Sequence, residues 1–168
     1  RAATAGARAG CDCLYAGDDV ANQNALMFQP SLWREVMKPR WAKVYAALFE
    51  YRKTLVQEAA ETGLPVARHP FIHYPNDPET WKITYQEFML GADFLIAPVT
   101  DEGATTVSAY LPQGRWVHLW TGAVYGSADK GTYVTVDAPI GQPGIFYKEG
   151  SAWGEKLVER LKSEGLMP

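Results

Sequence analysis

The chain has 168 residues, with 16 basic and 19 acidic side chains, a formal net charge of −3 and 47% hydrophobic residues. That is enough for one ordinary domain with a sizeable core. The slightly acidic balance gives no electrostatic basis for binding nucleic acid or an anionic membrane surface. No apolar run approaches the roughly 18–20 residues of a membrane span.

The chain opens at Arg1 rather than at Met and shows no signal-peptide pattern. A cytoplasmic location is the expectation, and the true N-terminus is left open. Cys11 and Cys13 are the only cysteines. A lone C-x-C is too little for a zinc site and would make a strained disulfide, so reduced structural thiols are expected.

Arg1 to Gly17 is rich in Ala and Gly, and Gly17-Asp18-Asp19 reads by itself as an exposed turn. Ser31 is placed to cap a short helix through Met37. Pro39 opens a longer one, with Trp41, Val44, Tyr45, Leu48, Leu55 and Ala59 at helical spacing and Gly63 as its stop. Arg34, Lys38, Arg40, Lys43, Arg52 and Lys53 give that region a basic face, which a solvated helix surface explains better than nucleic acid does.

Leu64 to Tyr74 is apolar and predicted extended, with Pro65 and Pro70 arguing against helix. Tyr74-Pro75-Asn76-Asp77-Pro78 is a turn, and Asp77 is placed to cap a helix beginning at Pro78. Trp81, Ile83, Tyr85, Phe88, Met89 and Leu90 form an apolar stripe that predicts a helix ended by Gly91. Phe94 to Val99 reads as a buried strand.

From Thr100 onward the pattern is β. Strands are predicted over Thr105–Leu111, Arg115–Trp120, Tyr133–Val136 and Ile145–Tyr147, with turns at Pro112-Gln113-Gly114 and Thr121-Gly122. Short strands with Gly/Pro turns indicate a sandwich layer. Trp153, Leu157, Val158 and Leu161 mark a closing amphipathic helix to Lys162.

Residues with chemistry to offer are few. His69 and His73, four apart on a predicted strand, would lie about 13 Å apart and could not chelate one metal. His118 has no partner visible in the sequence. Trp81, Trp116 and Trp120 could stack on sugars or fill a core, and the core reading is preferred. No phosphate-binding glycine loop, G-x-S-x-G elbow, H-E-x-x-H pair or calcium loop occurs.

The order R-H-P-F-x-H-Y-P-x-D, F-M-L-G-A-D-F-L-I-A-P-V, E-G-A-T, Y-L-P-x-G-x-W and W-T-G, over about Trp41 to Trp153, resembles glycoside hydrolase family 31. Arg68-His69-Pro70 and Val136-Asp137-Ala138-Pro139-Ile140-Gly141 are most similar to its sulfoquinovosidase and α-glucosidase branch. The resemblance implies an α/β plus all-β architecture. Residues 1–91 would be the shortened C-terminal part of a (β/α)8 barrel, 92–150 an antiparallel β-sandwich, and 151–165 a closing helix.

The same resemblance implies a retaining α-glycosidase that uses two aspartates, no cofactor and no metal, on an α-glucoside or sulfoquinovoside. Tyr15-Ala16-Gly17-Asp18 is similar to the segment ending in the general acid/base, which makes Asp18 the candidate acid and Asp19 its alternative. Arg1 is similar to an arginine that contacts the sugar, and His73 and Asp77 are candidate substrate-binding residues. His73 as a packing residue and Asp77 as a cap remain alternatives.

Two departures stand against the family pattern. The nucleophile segment has no counterpart, and the interval 19–38 holds no R-T-H motif where the family carries a substrate-binding histidine. The chain alone is therefore expected to be catalytically incomplete. The other reading is a non-catalytic structural or carbohydrate-binding module. An uncovered barrel edge near Leu48, Val66 and Phe71 would favour self-association.

Overall fold

The computed structural model describes residues 31, 34–35, 38–139 and 141–167. The chain divides into two compact units, Arg1–Ala42 and Lys43–Pro168. The first lies almost wholly outside the described residues, and with it the expected Ser31–Met37 helix.

Helix α1 runs over Lys38–Thr62. It ends where Gly63 takes a φ of 77° and its N–H reaches Ala59 O at 2.9 Å. This left-handed stop is open to glycine at no steric cost. Eight strands follow: β1 (Ala67–Arg68), β2 (Phe88–Leu90), β3 (Phe94–Ala97), β4 (Thr106–Leu111), β5 (Trp116–His118), β6 (Val124–Tyr125), β7 (Thr132–Asp137) and β8 (Gly144–Lys148). Helix α2 (Ala152–Ser163) closes the chain, capped by the Ser151 hydroxyl, which accepts the Gly154 N–H at 3.2 Å.

The strands form a six-stranded antiparallel sheet in the order β1-β2-β3-β8-β5-β6 and a two-stranded sheet of β4 and β7. The sheet continues across Gly91, because Leu90 pairs with Phe94 around a three-residue turn. Period-two alternation assigns side chains to opposite faces. Phe94, Val117 and Tyr147 join Tyr51 and Leu55 of α1 and Leu157 and Leu161 of α2. Met89, Leu95, Ala97, Trp116 and Phe146 meet Ala109, Leu111 and Val136 of the smaller sheet. The result is three layers: helices, a sheet buried on both faces, and a two-stranded lid. Each large apolar side chain removed from water here contributes about 2–3 kcal/mol.

Two expectations are overturned. Leu64–Tyr74 is not one strand: pairing stops after Arg68, and Pro70–Ile72 makes a single 3-10 turn. Pro70 supplies the first position of that turn, and the His69 imidazole accepts the Phe71 N–H. The helix predicted from Pro78 to Leu90 is also absent. One 3-10 turn, Thr80–Lys82, gives way to a bend over residues 84–86 and then β2. Gln86 Oε1 accepts the backbone N–H groups of Thr84 and Tyr85 at 2.9 and 3.1 Å, which fixes a local turn where a helix would have begun.

The remaining elements follow the sequence pattern. α1, β3, β4, β5, β7, β8 and α2 each fall within a residue or three of the predicted bounds, as fraying ends allow.

Candidate functional site

The segment from Arg68 to Glu87 gathers most of the described polar groups that the sequence singles out. Arg68 is 1% exposed at the sheet edge. Its guanidinium pairs with Glu58 of α1, donates through Nε to Pro65 O at 2.5 Å, and donates to His73 Nε2 at 3.2 Å. A guanidinium has no acceptor, so this last bond requires Nε2 of His73 to be unprotonated. Burial first, then the Arg68 and Lys148 charges, holds the His73 pKa below its usual value, and the ring is neutral.

Asp77 lies half-buried at the turn. Oδ1 accepts the Glu79 N–H at 3.1 Å, and Oδ2 accepts the Tyr110 hydroxyl at 2.7 Å. It therefore closes a local turn over residues 77–79 and ties it to β4, rather than capping the helix expected from Pro78, which is absent. The same pair pushes the Tyr110 pKa up, through burial first and then the Asp77 bond and charge. Glu79 is likewise engaged, with Lys82 and, at 3.2 Å, with the Tyr133 hydroxyl.

His69 uses both ring nitrogens internally: Nδ1 accepts the Phe71 N–H at 3.2 Å, and Nε2 donates to Ile83 O at 2.9 Å. His118, 2% exposed, bonds Thr121 Oγ1 at 2.9 Å through Nδ1, and burial lowers its pKa.

Glu87 carries no signal in the sequence beyond being an acid inside an apolar run, yet it is the most perturbed carboxyl described. Oε2 accepts the Tyr110 N–H at 2.7 Å, while Oε1 has no partner among the described residues. Burial raises its pKa to about 7, with the Tyr110 bond pulling the other way. It sits in the sandwich interior rather than in a cleft.

Arg1, Asp18 and Asp19 lie outside the described residues. Of the sequence-predicted site residues, His73 and Asp77 are described, and each has its inward-facing atoms occupied by protein groups. Among the described residues no group of three or more His, Cys, Asp or Glu is arranged to hold a metal, and no helix is long and apolar enough to cross a membrane. The tryptophans divide. Trp116 is fully buried and Trp120 donates to Pro143 O at 2.7 Å, whereas Trp81 is 62% exposed.

The chain belongs to glycosyl hydrolase family 31: residues 63–152 match the glycosyl hydrolase family 31 C-terminal domain. It is 43% identical over 127 residues to a sulfoquinovosidase of Agrobacterium fabrum, covering 75% of this chain and 18% of that protein. It is 44% identical over 124 residues to the sulfoquinovosidase of Escherichia coli, covering 74% and 17%.

Among solved structures, a sulfoquinovosidase from E. rectale in complex with an aza-sugar inhibitor superimposes with a TM-score of 0.65 at 41% identity, over 71% of this chain and 17% of that one. An α-xylosidase from a soil metagenome, complexed with xylose, gives 0.66 at 28% identity, over 84% and 21%. The chain thus spans less than a fifth of the length of the two sulfoquinovosidases it matches.

Proposed function

We propose that the chain is part of a retaining α-glycosidase, the end of its catalytic barrel with the sandwich that follows it, with an α-glucoside or a sulfoquinovoside as substrate. In that reading residues 1–91 would come from the end of its (β/α)8 barrel, with β1 and β2 pairing onto the sandwich sheet, 92–150 from the β-sandwich behind it and 151–165 from the closing helix. The observation that carries this reading is the 43% identity to a sulfoquinovosidase over 127 residues, coupled to the domain match at 63–152.

In such an enzyme one carboxylate attacks the anomeric carbon, and a second, about 5 Å away, protonates the leaving oxygen and later activates water. Asp18 is the proposed acid, and Arg1, His73 and Asp77 are the proposed sugar-side residues. The Arg68 and Tyr110 bonds would fix the orientation of His73 and Asp77 toward the sugar.

The test uses a full-length relative carrying this segment. Asp18→Asn should abolish acid catalysis, because an amide gives up no proton. The loss should be large on an alkyl α-glycoside and small on a nitrophenyl α-glycoside, whose leaving oxygen needs little protonation. Equal losses on the two substrates would move the acid to Asp19 or remove the assignment. The 168-residue chain alone should hydrolyse neither substrate at an enzymatic rate, since nucleophile and acid act as a unit.

A further inference from the structure

We propose that Glu87 is a proton-operated clasp, which holds the β4–β7 sheet and the Asp77 turn together while protonated and lets them part on ionising.

No strand ladder joins the two-stranded sheet to the six-stranded one. Besides apolar packing, the segment from Asp77 to Glu87 reaches the smaller sheet through three carboxyl groups. All three fall on one cross-strand pair, Tyr110 of β4 and Tyr133 of β7. Glu87 Oε2 accepts the Tyr110 N–H at 2.7 Å, Asp77 Oδ2 accepts the Tyr110 hydroxyl at 2.7 Å, and Glu79 Oε2 accepts the Tyr133 hydroxyl at 3.2 Å. The two tyrosine rings lie with centroids 4.9 Å apart.

The three carboxyls differ in surroundings. Glu79 pairs with Lys82 near the surface, and Asp77 has a second bond, from the Glu79 N–H. Glu87 is 4% exposed, and its Oε1 has no partner among the described residues. The titratable groups facing the clasp are Tyr110 from β4, Tyr133 from β7, and Asp77 and Glu79 from the turn, and Lys82 is spent on Glu79. An ionised Glu87 would be a buried charge without a counter-ion, and it reaches water only by leaving Tyr110. Its departure strips the Tyr110 N–H of its acceptor, so that part of β4 must be hydrated too. The Asp77 turn hangs on the same tyrosine and loosens with it.

A carboxyl that is protonated in the closed fold and ionised in the open one gives up a proton on opening. Its pKa is about 7 closed, against 4.5 for the free group. The clasp therefore holds fully below pH 4.5, weakens about tenfold per pH unit up to 7, and changes little beyond. None of this rests on the glycosidase reading.

The test is hydrogen exchange at single amides in the intact protein that carries this segment, at pH 5 and pH 7. Tyr110 is referred to Phe146, in the middle of the larger sheet, so that the intrinsic pH dependence of exchange cancels. The Tyr110-to-Phe146 ratio should rise at least about tenfold between the two pH values, and stay flat in Glu87→Gln. The Thr80 amide of the turn, bonded to Asp77 O, should follow Tyr110 in wild type. In Tyr110→Phe it should cease to follow, while the amide at 110 still responds. A flat ratio in wild type would overturn the clasp, whether or not Glu87→Gln folds. So would an equal rise in Glu87→Gln, or a Thr80 response that survives Tyr110→Phe.

Discussion

Ser151 donates its hydroxyl to Asp93 Oδ1 at 2.7 Å, joining the first residue outside α2 to the β2–β3 turn. The same Ser151 oxygen accepts the Gly154 N–H and so caps α2. The Asp93 N–H reaches the Tyr51 hydroxyl of α1 at 3.3 Å, and that hydroxyl donates to Leu90 O at 2.9 Å. One turn therefore fastens both helices to the sheet. Ser151→Ala should lower stability by about 1–2 kcal/mol, the range of a lost N-cap. Asp93→Ala should cost a similar amount, and the double variant less than the sum, because both remove the same bond. Denaturant titration of the four proteins checks this, and strict additivity would show the bond to be idle.

The Glu87 carboxyl defines a pH dependence of stability. Its folded pKa of about 7 lies above the 4.5 of the free group, and burial is the main cause. A raised carboxyl pKa contributes stability that is fully present below pH 4.5 and is lost as pH rises through 7. The loss amounts to about 3 kcal/mol at most. Glu87→Gln carries no charge, so its melting temperature should change less than that of wild type between about pH 5 and 8. The variant should gain on wild type as pH rises. Parallel curves for the two proteins would mean that Glu87 is already ionised in the fold at the acid end of that range.

Gly91 has a φ of 58°, and a Cβ there would run into the Tyr51 hydroxyl and a methyl of Leu55. Gly91→Ala combines a left-handed backbone with overpacking, for a loss of about 2–4 kcal/mol. Gly63→Ala has the same hand of backbone, with a φ of 77°, but open space around it, so it should cost only about 1 kcal/mol. Thermal melts of both separate packing from backbone preference. Equal losses would indicate that Tyr51 moves aside.

Asp77 and Tyr110 make the bond that ties the P-x-D turn to β4. Tyr110→Phe should cost about 1–2 kcal/mol, as expected for a hydrogen bond to a charged acceptor. In the full-length glycosidase context, Asp77→Asn should reduce stability and leave the ratio of rates on alkyl and nitrophenyl glycosides unchanged. A changed ratio would give Asp77 a place at the leaving group instead.

Where spacing and layer coincide, the sequence is legible. Tyr51 and Leu55 point one way from α1, and Leu157 and Leu161 one way from α2, so each helix announces itself. Phe94 to Ala97 is continuous because the sheet has a core on both sides. The stretch from Trp81 to Leu90 misleads for a related reason. Met89 enters the sandwich while Trp81 and Tyr85 face solvent, and side chains with separate destinations happen to fall at helical intervals. The site obeys the same logic. Asp77 and Glu87 meet Tyr110 across 33 and 23 residues, which no local motif encodes. The family order R-H-P to W-T-G reaches further than periodicity because it records pairings of that length.

Both outer strands of the six-stranded sheet, β1 and β6, are two residues long. A foreign strand seeking to extend the sheet would find almost no run of free backbone to zip onto. On the β1 side it would also meet the buried Arg68 guanidinium and its Glu58 partner. Edges blunted in this way resist fibrillar growth. The six-stranded sheet can thus carry a near-continuous apolar strand such as Phe94–Ala97 in its middle without offering its edges as a template.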